Sequence, residues 1–152
     1  MRRIFSVLLL CLFLVGCHAA PPTEPAPLTE EVATYQGEGF RLTYPACFSL
    51  ARETGDMLSF TAQGRNMVFS LTWEENGYGA HAIEEYPTLM GIYEDVTVLD
   101  AHSFAVEKYL PDVLSGYYRY TVTEDTVYLL EYNYGGSEEE RAMQSLFFMD
   151  VE

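Results

Sequence analysis

The chain has 152 residues, of which 23 are acidic and 8 basic, for a net charge of −15. A surface that negative repels nucleic-acid phosphates and anionic lipid heads, so nucleic-acid binding is set aside. With 49% hydrophobic and 14% aromatic residues, the chain can bury one ordinary core and is too apolar to be disordered.

Arg2 and Arg3 precede Ile4 to Gly16, thirteen residues without a charge, which is the charged-then-apolar order of an export signal. A helix over that run would be roughly 20 Å long, short of a ~30 Å hydrocarbon core, and prolines rather than a basic stop cluster follow it. The residues Leu14-Val15-Gly16-Cys17 resemble the lipobox of bacterial lipoproteins, with a small residue before the cut and a cysteine after it. The resemblance implies a diacylglycerol thioether on Cys17, cleavage before it, and a mature chain held by that lipid on the extracytoplasmic face of a cell membrane. Cysteine suits the step because a thiolate is the available nucleophile, and two acyl chains anchor a protein stably where one does not. Residues 1–16 are then a signal peptide. Loss of Arg2 and Arg3 leaves six basic residues against 23 acidic ones, a net of −17.

Cys11 leaves with the signal and Cys17 carries lipid, so Cys47 is expected to be free. It has no His, Lys or Arg within three positions and reads as a buried packing thiol. Residues 17–34, the lipidated cysteine and a Pro-, Ala- and Glu-rich stretch, read as a tether, and its seventeen residues from His18 could reach roughly 50 Å in polyproline geometry. Residues 35–152 form a single expected globular domain.

Within that domain Phe40, Leu42 and Tyr44 alternate and stop at Pro45, a strand with a breaker behind it. Extended stretches are expected over Cys47–Arg52, Met57–Ala62 and Met67–Trp73, joined by Gly55-Asp56 and Gly64-Arg65-Asn66. In GYGAHAIEEYPTLMG, Ile83, Tyr86 and Met90 recur at helical spacing. Pro87 demands either a short helix before it or a kinked pair with the proline in the first turn of the second half. Extended segments resume over Val96–Leu99 and Phe104–Tyr109, and GYYRYTVTEDTVYLLEYNYGG is the clearest hairpin, with Glu124-Asp125 at its tip. Ser137-Glu138-Glu139-Glu140 matches a capping box and predicts a C-terminal helix with Ala142, Met143, Leu146 and Phe147 on its buried face.

This order of elements, opening on Gly-Phe-Arg-Leu-Thr-Tyr-Pro, resembles the PsbP-like α/β/α sandwich, a group that includes DcrB-type lipoproteins. It implies an α+β fold, an antiparallel β-sheet with helices packed on it, and carries over no functional residue.

Catalytic signatures are missing: there is no Gly-x-Ser-x-Gly, His-Glu-x-x-His, Cys-x-x-Cys or phosphate-binding glycine loop. Glu74-Glu75, Glu84-Glu85 and Glu94-Asp95 lack a calcium-loop pattern and read as solvated faces. His81 with Glu84 and Glu85 offers too few ligands for a closed zinc site. No metal and no cofactor are expected.

The tyrosine-rich hairpin is the candidate contact surface. If Thr123 faces Thr126, one face carries Tyr118, Tyr120, Val122, Val127 and Leu129 and is assigned to the core. The other carries Tyr117, Arg119, Tyr128 and Tyr132, an arginine among rings that suits an interface or a planar ligand. The functional expectation is a non-catalytic binding or accessory module of the cell envelope whose partner is an envelope protein or small ligand. The alternative is an envelope enzyme with an acidic active site.

Overall fold

A computed structural model describes residues 24–111 and 113–151. The expected signal peptide at 1–16, the lipidation site Cys17 and the start of the tether lie outside the described residues.

Among the described residues, ten strands form two antiparallel sheets. The smaller has the order β1-β2-β10, with β1 Val32–Gln36, β2 Phe40–Pro45 and β10 Phe148–Val151. The larger has the order β3-β4-β5-β9-β8-β7-β6. Its strands are β3 Phe48–Thr54, β4 Met57–Ala62, β5 Val68–Glu75, β6 Val96–Val98, β7 Ser103–Lys108, β8 Ser115–Val122 and β9 Thr126–Tyr134. Two helical segments complete the described structure. A 3₁₀ turn, Ile83–Glu85, leads into α1, Tyr86–Leu89, and α2, Glu138–Ala142, runs into a 3₁₀ turn at Met143–Leu146.

The α+β expectation is therefore corrected: the layer that covers the large sheet is mainly a second sheet, and the helices are four and five residues long. Two local causes are visible. Pro87 occupies the first turn of α1, and Gly91 at φ 72° ends it, with the Ile92 amide donating to the Pro87 carbonyl at 2.8 Å. At the C-terminus, Phe147 adopts extended backbone, and the chain then pairs with β2, Met149 opposite Leu42 and Val151 opposite Phe40. The apolar tail thus becomes an edge strand instead of continuing a helix.

The core is the aromatic layer between the sheets. From the large sheet, Phe60 and Phe69 stack at 4.3 Å between centroids. Tyr44 of β2 packs on Phe60 at 4.7 Å, and Phe48 and Phe147 each meet Phe69 edge-on at 4.9 Å. Leu42, Leu58 and Leu71 are fully buried alongside. Edge-on and offset geometries add to the area that these rings remove from water.

The tether also differs from its sequence boundary. β1 starts at Val32, Leu28 packs against the core, and the Ala26 amide donates to the Gln63 carbonyl at 2.9 Å while Arg65 Nε donates back to the Ala26 carbonyl. The chain is thus fastened at the β4–β5 turn by residue 26. Cys47 is free and half-buried against the core, and burial pushes its thiol pKa up.

α2 is held by one charge cluster. The Ser137 hydroxyl accepts from the Glu140 amide at 3.2 Å, the expected half of the capping box, but the Glu140 carboxylate accepts from Gly135 instead of closing the box. Arg141 Nε and Nη2 donate to both Glu107 oxygens at 2.7 and 3.0 Å. Those bonds, helped by the Arg141 charge and by Tyr134 and Gln144 and opposed by partial burial, hold the Glu107 carboxyl below the usual range. A depressed native pKa means that the stabilisation is complete above the unfolded glutamate value, about 4.3, and is lost as pH falls through the native one. Glu107→Gln should therefore lower the melting temperature at pH 7, and the gap to wild type should close below about pH 4 in a thermal-melt pH series.

Candidate functional site

The hairpin register is as the sequence predicts, with Thr121 opposite Tyr128, Arg119 opposite Leu130 and Tyr117 opposite Tyr132. The face expected to be exposed forms the main core, whereas the face expected to be core is only partly covered, with Val122 and Val127 in a smaller cluster. Tyr117, Arg119, Tyr128 and Tyr132 all point into the layer between the sheets, and Tyr132 is 0% and Arg119 9% exposed. The four residues expected to form a contact surface are buried in the core.

The physical reason is that Arg119 and two of the phenols on this face find hydrogen-bond partners inside. Tyr132 Oη donates to the Glu140 carbonyl at 2.7 Å and Tyr134 Oη to Glu107 at 3.2 Å, both at the end covered by α2. Burial raises both phenol pKa values, that of Tyr134 to about 12. Arg119 Nη1 donates to the Phe147 carbonyl at 3.1 Å, and Nη2 donates to Ser103 Oγ at 3.2 Å and lies 3.5 Å from Asp100. Burial would raise the Asp100 pKa, but the Ser103 hydroxyl, the His102 amide and the Arg119 charge together hold it low. Arg119 Nε has no partner among the described residues. A buried arginine thus clips the turn before β10 to the strand that carries it.

The opposite face of the large sheet is only partly covered. The segment from Tyr78 to Ile92 folds over its middle strands, where Ile83 and Tyr86 join Phe104, Val122 and Val127 in a second, smaller core. Polar contacts fix the first part of this segment. Asn76 Nδ2 donates to the Thr123 carbonyl at 2.9 Å, and Tyr86 Oη donates to the Gly79 carbonyl at 2.6 Å.

Between that segment and the β3–β4 hairpin lies an open cleft of about 710 Å³. Met57, Val127 and Leu129 form an apolar floor. Tyr78 and Tyr120 supply rings, and Arg52, Asp56 and Glu74 stand at the rim, while the ring of Trp73 packs on Phe40 on the other face. Tyr120 stacks on Phe104 at 4.7 Å with planes 11° apart, so its ring is held in place. Asp56 and Glu74 are both exposed, and Asp56 Oδ1 accepts from Thr54 at 3.1 Å. Solvated carboxylates lack the enclosed environment that tunes an acid–base pair. The volume falls within the range of small-molecule sites, roughly 300–1,000 Å³.

The alternation in the sequence assigns Tyr120, Val127 and Leu129 to the core, of which Val127 is buried, and singles out neither Tyr78 nor Arg52. One signal was present: Asn76-Gly77 followed by Tyr78-Gly79 is turn chemistry that sends the chain away from β5. The acidic pairs Glu74-Glu75, Glu84-Glu85 and Glu94-Asp95 are all exposed. His81 pairs with Glu85 at 2.8 Å, and no cluster of three His, Cys, Asp or Glu among the described residues is placed to hold a metal ion.

No protein-family model matches the chain, and no curated protein matches it. Among solved structures it is similar to a protein from Bacteroides thetaiotaomicron VPI-5482, with a TM-score of 0.53 and 12% identity over 75% of this chain. The chain spans 45% of that protein's length. At such identity the likeness concerns the fold alone.

The two faces make a measurable contrast. Arg119→Ala should cost about 2–3 kcal/mol, since it strips the Phe147 carbonyl of its buried donor, and Tyr132→Ala about 3–5 kcal/mol by opening a core cavity. Leu129→Ser, on the cleft floor, should stay within about 1 kcal/mol. Urea denaturation of the three variants checks the order.

Proposed function

We propose that this protein is a lipid-anchored extracytoplasmic binding module, held through Cys17 and binding a small amphipathic ligand in the cleft on the open face of its large sheet. The observation that carries the binding reading is the cleft itself, with rings and methionine over an apolar floor and charge only at the rim. That composition suits a ligand with a flat apolar body and a polar edge. The solvated state of Asp56 and Glu74 favours binding over acid–base catalysis.

The anchoring half of the reading rests on the sequence Leu14-Val15-Gly16-Cys17. No helix among the described residues is long and apolar enough to cross a membrane. The cleft lies toward the end of the sheet that holds the β3–β4 and β8–β9 turns, whereas Ala26 is fastened at the other end, beside the β4–β5 turn. A lipid on Cys17 would therefore present the cleft away from the bilayer.

Two measurements test the halves separately. Cells grown with a clickable fatty acid should label the wild-type chain and not Cys17→Ser; equal labelling ends the lipoprotein reading. Anilinonaphthalene sulfonate, whose rings and single charge match the cleft, should bind with a rise in dye emission. Tyr120→Ala and Leu129→Ser should each weaken that binding by about tenfold, the equivalent of about 1.4 kcal/mol. Unchanged affinity in both variants rules out the cleft as the binding place.

A further inference from the structure

The β7–β8 loop breaks the pattern of an acidic, polar surface. Leu110 is 40%, Val113 52% and Leu114 59% exposed, side by side at a hairpin end where turn residues are ordinarily polar. Ser115 Oγ ties the loop's two arms together, accepting from the Leu110 amide at 2.8 Å and donating to the Leu110 carbonyl at 3.0 Å.

Topology places this loop beside the point where the chain comes in. Val68 pairs with Asn133, Asn133 with Gly116 and Gly116 with Lys108, so the β4–β5 turn and the β7–β8 loop lie at one end of the sheet. Three strand spacings, about 14 Å, separate them. Ala26 is bonded to that same β4–β5 turn. Only eight residues lie between Cys17 and Ala26, a reach of at most about 30 Å over nine Cα–Cα steps, in place of the roughly 50 Å available to an unattached tether.

We infer that Leu110, Val113 and Leu114 form a membrane-contact tip that rests in the interfacial zone of a phospholipid bilayer. This inference rests on the lipoprotein reading, since the anchor at Cys17 brings the tip within reach. Three aliphatic side chains bind a bilayer weakly on their own, and a short tether turns that contact into an intramolecular one with a high effective concentration. The net charge of −17 on the mature chain opposes anionic lipid, so the matching surface is zwitterionic. With its tip down, the sheet, about 26 Å long over the eight residues of β8, stands with the cleft outward.

The test imposes the anchor chemically, so that it succeeds or fails independently of acylation in cells. The chain from Cys17, with Cys47→Ser, is coupled through Cys17 to a maleimide phospholipid in phosphatidylcholine vesicles. Amide hydrogen exchange is compared with that of the same chain coupled to a soluble maleimide. On vesicles, Val113 and Leu114 should exchange about tenfold more slowly, residues 123–126 at the opposite end should be unchanged, and Val113→Asp with Leu114→Asp should abolish the difference. Unchanged exchange at Val113 and Leu114, or equal slowing at both ends, overturns the inference. Absent fatty-acid labelling of Cys17 in cells, with protection intact on vesicles, overturns the anchor and leaves the tip's affinity for lipid established.

Discussion

Everything else in this fold depends on the aromatic layer between the two sheets. Phe69 is its centre: it stacks on Phe60 and meets Phe48 and Phe147 edge-on, so strands far apart in the chain are joined through one ring. Strand pairing alone would leave a seven-stranded sheet with two wet faces, and a three-stranded sheet needs a buried hydrophobic face to be stable. The rings make the two sheets into one body, because only their contact removes both apolar faces from water.

Burying that layer is eased where the polar groups on it find partners inside. The tyrosines do this at the end covered by α2, where Tyr132 and Tyr134 reach the Glu140 carbonyl and Glu107. Arg119 does it at mid-sheet through the Phe147 carbonyl, Ser103 and Asp100. α2, although only five residues long, is thus a cap that supplies hydrogen-bond partners for buried phenols. The arginine fixes the chain where it turns into β10, and β10 completes the small sheet.

The two ends of the large sheet differ in chemistry. One end holds Ala26, the β4–β5 turn and the apolar β7–β8 loop. Toward the other lie the cleft and the polar turns at 54–57 and 123–126. In the folded chain the segment from Tyr78 to Ile92 could have covered the whole open face. Its short helix, limited by Pro87 and Gly91, covers only the part over Phe104, Val122 and Val127, and the uncovered remainder is the cleft.

What the sequence by itself determined is local. Period-two alternation and turn residues locate β2, β4 and the β8–β9 hairpin with its register, and Ser137 with Glu140 marks the start of α2, because strand and cap signals act between residues a few positions apart. Pro87 likewise announces that a helix there must be short or kinked. Which face of the hairpin is inside was decided only by tertiary structure. Both faces of β8–β9 alternate correctly and both are rich in tyrosine, so periodicity cannot choose between them. The choice rests on Phe147, Glu140, Glu107 and Asp100, residues remote in sequence that satisfy Arg119 and the phenols. The same holds for the second layer: Phe148–Val151 has no helix-breaking residue, and it becomes a strand because β2 offers a free edge to pair with. A partner supplied by folding overrides local preference, and for that reason the sheet that replaced the expected helices could not be read from the chain alone.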